Sequence, residues 1–219
     1  MKFNGITPFI YLCGALGLSI QPAQAVNLEA QSASVASNIE TKAEPAAKLE
    51  LRQLLAQFQS LQANFSQEIA DMQGELLQET EGSILLQKPN MLRWEVKSPD
   101  ESLLIADGKT VYNIDPFVEQ VTLIEQQSLT ATNPLMLLIS DDEEQWASVN
   151  IEKRDSDFII KPQNADAQIS LLILSFNKDK QLSLLTSVDQ QHQRNVISFS
   201  EIEYNVTTPA NVFSYKPNA

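Results

Sequence analysis

The chain has 219 residues, with 15 Lys and Arg against 28 Asp and Glu, a formal net charge of −13, one cysteine and one histidine. A chain this acidic does not bind nucleic acid or an anionic lipid surface by bulk electrostatics, and its charge favours solubility. With 43% hydrophobic residues it can build one core of ordinary size, while the single Cys13 excludes a disulfide framework.

Residues 1–25, MKFNGITPFIYLCGALGLSIQPAQA, carry one lysine, an apolar run from Ile6 to Ile20 and the small-residue pattern Ala23-Gln24-Ala25. This is the layout of a secretory signal peptide, and the run is short for a spanning helix. Cleavage is expected after Ala25; an uncleaved anchor is the alternative, although no basic stop-transfer cluster follows. Leu12 is not the small residue that a lipid attachment site needs before Cys13. Cleavage would remove the only thiol, which suits an oxidising compartment such as the periplasm, and the loss of Lys2 would take the charge from −13 to −14.

Residues 26–46 are rich in Ala, Ser and Glu without an aromatic residue or a sustained apolar period, and read as a flexible leader. Residues 47–219 then form one domain, with no internal repeat of solenoid or propeller period. Leu51, Leu54, Leu55, Phe58, Leu61, Phe65 and Ile69 recur at steps of three and four, which predicts one amphipathic helix. After Gly74 the period shortens to two. Strands are predicted at 75–80, 83–88, 91–97, 102–106, 109–114 and 119–125, separated by Gly82, Pro89-Asn90, Ser98-Pro99, Asp107-Gly108 and Asp115-Pro116. In "LQKPNMLRWEVKSPD" the alternation puts Leu92, Trp94 and Val96 on one face, against Arg93, Glu95 and Lys97 on the other. That apolar face meets either the protein's own core or an exchangeable greasy ligand.

Further on, Pro134 can open a short helix in which Leu135, Leu137, Leu138 and Ile139 crowd one turn, and the acidic run Asp141–Glu144 marks its solvated end. More strands are predicted near 148–153, 157–162, 168–176, 181–189 and 194–204. The fold class is therefore mainly β (α+β): about eleven antiparallel strands with two or three helices, too few to cover both faces of a sheet that must curl toward an incomplete barrel.

Catalytic equipment is sparse. His192 lies in the polar "DQQHQRN", reads as a surface residue, and has no GxSxG elbow to serve. Zinc ligands cannot be assembled, "SDDEE" lacks the glycine and spacing of a calcium loop, and no GxGxxG or P-loop occurs. The pairs Glu79 and Glu81, or Glu201 and Glu203, have same-strand spacing and read as a solvated face more readily than as a glycosidase pair. No cofactor or metal is expected.

The run "PDESLLIADGKTVYNIDPFVEQVT", residues 99–122, resembles the signature of the periplasmic outer-membrane lipoprotein carrier proteins, the LolA family. "ANFSQEI", "QETEGSILLQKPNMLRW", "NPLMLLI", "DFIIKP" and "VDQQHQRN" extend the likeness in order and spacing across about residues 48–217. The resemblance implies a half-barrel whose apolar concave face, closed by a helical lid, takes the acyl chains of lipoproteins. It implies loading by an inner-membrane ABC transporter, unloading to the outer-membrane receptor LolB, action as a monomer, and no reaction of its own.

By position, Leu92, Trp94, Val96, Leu135, Leu138 and Leu185 would line the acyl cavity, and Leu54, Phe58, Leu61 and Phe65 would belong to the lid helix. Lys88 stands where the family has an arginine that latches helical carbonyls, a point charge in place of a planar fork. The family usually continues past the "FSYKP" position, whereas this sequence ends at Ala219. A lipid- or lipoprotein-sensing module of the same shape is the alternative, and a periplasmic hydrolase built on His192 is a third, disfavoured class.

Overall fold

The structure, a computed structural model, describes residues 46–126, 138–140, 142–165, 167–209 and 211–216. The expected signal peptide, the leader up to residue 45, and the expected helix around Pro134 with Leu135 lie outside these residues.

Helix α1 spans Ala46–Leu55. Its sequence, AAKLELRQLL, consists of strong helix formers, and Lys48, Leu51 and Leu55 form its buried stripe. The last turn closes through Ala56 N–H to the Arg52 carbonyl at 2.8 Å and Gln57 N–H to the Leu54 carbonyl at 3.2 Å. The predicted helix through Ile69 is therefore corrected. The chain leaves α1 through Phe58 and enters strand β1, Ser60–Ala70, so Leu61 and Phe65 stand on a strand and not on a lid helix. Steps of four fit both periods, and the alternation of Leu61, Ala63, Phe65, Gln67 and Ile69 with Gln62, Asn64, Ser66 and Glu68 decides for β because only that arrangement buries every member of the first set.

Ten strands follow: β2 Leu76–Gln87, β3 Met91–Ser98, β4 Ser102–Asp107, β5 Thr110–Asp115, β6 Gln120–Glu125, β7 Val149–Arg154, β8 Asp157–Pro162, β9 Ile169–Phe176, β10 Leu182–Asp189 and β11 Arg194–Tyr204. Helix α2, Glu143–Ala147, precedes β7 and is capped by the Asp142 carboxylate, which accepts from Glu144 N–H. The two strands expected at 75–80 and 83–88 are one strand, β2. Gly82 is not a turn but a bulge position, at which the β2–β3 register shifts between Glu81 and Gly82. The expected number of strands is thus reached by a different division of the chain.

All eleven strands form one antiparallel sheet in the order β6-β5-β4-β3-β2-β1-β11-β10-β9-β8-β7. Consecutive hairpins build each half, and the pairing of β1 with β11 joins the halves at the centre. The edge strands β6 and β7 do not pair with each other, so the barrel stays open. A single apolar cluster contains Trp94, Leu104 and Val111 from one half, Phe158, Ile160 and Leu172 from the other, and Leu51 and Leu55 of α1. A flat sheet could not bring these together; the sheet curves around α1.

Candidate functional site

The concave face is a lattice of apolar side chains in register. Across β2 to β6 one row runs Leu86, Leu92, Ala106, Val111 and Ile124, and a second runs Ile84, Trp94 and Leu104. Across the other half run Ile197, Leu185, Leu174 and Phe158. At the centre the Phe65 and Trp94 rings stack, with centroids 3.9 Å apart. Trp94, Val96, Leu138, Leu185, Phe58, Leu61 and Phe65 all belong to the one core cluster, and Leu54 and Leu92 pack against it half-buried. Leu92, Trp94, Val96 and Leu185 thus stand on inward strand positions of one cluster that Leu138 also joins, while Leu135 is outside the described residues.

α1 lies on this face with Leu51 and Leu55 buried, and polar contacts add to that hold. Lys48, itself buried, donates from Nζ to the Trp146 carbonyl at 2.6 Å. Arg52 forms a two-point ion pair with Glu143, one arm of which is 3.0 Å long, and its guanidinium lies 5.3 Å from the Trp146 ring centre. The Arg52 hydrogen bond holds the Glu143 carboxyl below the ordinary glutamate range. Lys153 pairs with Glu50 at 2.6 Å. At the C-terminal end of α1, where carbonyls lack intrahelical partners, Lys88 Nζ donates to the Leu55 carbonyl at 2.9 Å. Its ammonium also lies 5.0 Å from the centre of the Phe58 ring.

The segment between α1 and β1 is anchored separately. Phe58 is fully buried against Tyr204, with ring centroids 4.9 Å apart. Burial pushes the Tyr204 hydroxyl up, although that oxygen accepts from Leu182 N–H at 2.9 Å. Asn205, with φ of 59°, accepts from Gln59 N–H at 2.8 Å and donates to the Gln57 carbonyl at 3.2 Å. A groove of about 480 Å³ runs between α1 and the β7–β8 and β9–β10 turns, lined by Leu54, Phe158, Phe176, Lys153 and Lys180 among others. His192 sits exposed in the β10–β11 turn with φ of 62°.

Sequence reasoning missed Lys48, Arg52, Glu143 and Trp146, because they act across long sequence separation and their helices are too short for a strong pattern. It also missed a polar interruption of the concave face. Gln67, Thr80 and Asn195 are all buried there, and the signal was available: each sits at an inward position of an alternating strand.

Residues 56–216 match the family model described as outer membrane lipoprotein carrier protein LolA. The outer-membrane lipoprotein carrier protein of Idiomarina loihiensis is 34% identical over 174 residues, covering 80% of this chain and 85% of the relative. The protein of the same name from Yersinia pestis is 30% identical over 171 residues, covering 78% and 84%. Among solved structures, a LolA superfamily protein from Nitrosomonas europaea aligns with a TM-score of 0.43 at 9% identity, over 78% of this chain and 99% of that one. With the family model matched over most of its length, the chain belongs to the LolA family of outer membrane lipoprotein carrier proteins.

Proposed function

We propose that this protein is a periplasmic chaperone that takes the acyl chains of lipoproteins onto its concave face and carries them from the inner to the outer membrane. It receives them from an inner-membrane ABC transporter and passes them to the receptor LolB, performing no reaction of its own. Residues 1–25 are the signal that exports it. Leu92, Trp94, Val96, Leu138 and Leu185 contact cargo or lid, Leu54 and Phe58 belong to the lid, and Lys88 is its latch.

The need for a carrier follows from the hydrophobic effect. Each buried methylene is worth about 0.8 kcal/mol, so one free acyl chain of about a dozen methylenes costs on the order of 10 kcal/mol in water. Membrane-to-membrane diffusion of an uncovered lipoprotein is therefore negligible.

The observation that carries the reading is the mixed nature of the closure: apolar side chains fill the face, and polar contacts hold them there. Leu51, Leu55 and Phe58 are buried at 0–1% exposure. Lifting them out costs very roughly 5–9 kcal/mol, taking 1.5–3 for each side chain. An incoming acyl chain recovers a similar amount. The exchange of lid for lipid is then close to balanced, as a carrier that must both load and unload requires.

The test is native mass spectrometry with lipid extraction on the mature protein, purified from cells making an acylated and a non-acylated version of one lipoprotein. A one-to-one soluble complex with the acylated form alone is expected. A folded protein that captures neither form, or both equally, overturns the carrier reading.

A further inference from the structure

The concave face is interrupted at one level by amides and a hydroxyl. Along β1 the inward side chains run Leu61, Ala63, Phe65, Gln67 and Ile69, and the fourth is polar although it is only 4% exposed. Thr80 faces it in register on β2, and Asn195 lies on β11 one inward position further along, opposite Ile69; the two are 2% and 6% exposed. Thr80 Oγ1 donates to Gln67 Oε1 at 3.1 Å, and Gln67 Nε2 donates to Asn195 Oδ1 at 2.9 Å. The chain of hydrogen bonds ends there: Asn195 Nδ2 is shielded from solvent and has no partner, the one nitrogen so placed among the described side chains. Ile69, on the other side of Gln67, is buried yet stands outside the main apolar cluster. The polar level thus bounds the apolar lining at this end.

A buried donor without an acceptor is unfavourable, and an apolar residue of similar volume would avoid the penalty. Asn195 makes sense in a second state of the protein, in which an acceptor arrives. Gln67 holds the Asn195 oxygen, so the nitrogen is already oriented by the time it is needed. The lining reaches from this level along Phe65, Ala63 and Leu61 for about 20 Å of strand toward the Lys88 corner, a run along which hydrocarbon can lie. A lipid in that position brings one kind of acceptor into the apolar compartment, the carbonyl oxygen at the head of its acyl chain.

We propose that Asn195 Nδ2, oriented by Gln67 and Thr80, is a binding site for the ester carbonyl oxygen of an O-acyl glyceryl group held on the concave face. The site rests on the carrier reading and adds a polar recognition point to what would otherwise be a purely hydrophobic grip. It predicts that the protein's preference between an acyl ester and the alkyl ether of equal chain length depends on Asn195; burial alone favours the ether, in which CH2 replaces the polar carbonyl.

The test titrates 1,2-dioctanoylglycerol and its diether counterpart 1,2-dioctylglycerol into the mature protein by calorimetry. The ester-to-ether affinity ratio of the unaltered protein is expected to exceed that of Asn195→Leu about tenfold, the effect of one neutral hydrogen bond. The difference should come from weaker binding of the ester, with the ether unchanged. Should the single variant fold poorly because Gln67 loses its acceptor, the triple variant Gln67→Leu, Thr80→Val and Asn195→Leu leaves no orphan and should show the same loss. A ratio that is the same in the unaltered protein and in the variants overturns the site while leaving the carrier reading in place. Binding of neither probe overturns both.

Discussion

The Phe65 and Trp94 rings stack at 3.9 Å with planes 29° apart, although β2 runs between their strands. The contact is possible because Gly82 of β2, opposite Phe65 of β1 and Val96 of β3, has no side chain to fill the space. A Cβ at Gly82 would lie 1.9 Å from the Glu95 carbonyl oxygen and 2.8 Å from Phe65 Cζ. Backbone, unlike a side-chain tip, cannot step aside cheaply. Gly82→Ala is therefore expected to lower stability by about 3 kcal/mol or more, as overpacking of a rigid site does. Urea denaturation checks this, and a loss below about 1 kcal/mol would mean that β2 and β3 separate without strain.

Lys88 holds the C-terminal end of α1 through a charge-assisted hydrogen bond to the Leu55 carbonyl. Lys88→Met keeps most of the aliphatic stem and removes the donor. With about 1.5 kcal/mol assigned to a partly exposed bond of this kind, the α1 amides should exchange with solvent roughly tenfold faster. Lys88→Arg, whose planar fork offers more donors, should instead slow exchange. Hydrogen-exchange mass spectrometry of residues 46–55 reads both, and unchanged protection in Lys88→Met would remove Lys88 from the closure.

The Arg52–Glu143 pair makes the hold on α1 acid-sensitive. The Arg52 hydrogen bond depresses the Glu143 pKa in the folded state relative to the ordinary value of 4.5. A depressed carboxyl contributes stability that is fully present above the unfolded value and is lost as pH falls through the folded one. Denaturation midpoints of the unaltered protein should accordingly exceed those of Glu143→Gln at neutral pH, and the two should converge in acid below the ordinary glutamate range. Because Glu143 is solvent-exposed, added salt should narrow the gap at neutral pH as well. A gap that persists in acid would assign the difference to packing and not to charge.

The hairpin strands were legible from the sequence because each carries its own evidence: alternation, and a turn such as Asp107-Gly108, where Gly108 has φ of 94°. β1 was not, since Leu61, Phe65 and Ile69 satisfy a helical and a strand period together and its β11 partner lies more than a hundred residues away. Gly82 misled for a related reason: a glycine within an apolar run signals a turn locally, and its real role, clearance for a ring from the neighbouring strand, is a tertiary fact. The lining was readable at Leu92, Trp94 and Val96 because alternation assigns a face. The Lys48, Arg52 and Glu143 clasp was not, because charges on short helices carry no period.

Leu92 and Leu185, both on the proposed cargo face, differ in depth. Leu185 is 2% exposed, between Leu174 and Ile197 in the middle of the sheet, so Leu185→Ala should cost about 3 kcal/mol. Leu92 is half-buried between Leu86 and Ala106 in register, and Leu92→Gln should cost about 1 kcal/mol. If an acyl chain enters at this less buried part of the lining, the order reverses for binding. Compared at equal folded fraction by native mass spectrometry, Leu92→Gln should lose most of the complex with an acylated lipoprotein, and Leu185→Ala, which leaves the wall apolar, should lose less of it. The opposite order would place the entry deeper in the sheet, on the β10 side, and make Leu92 a packing residue only.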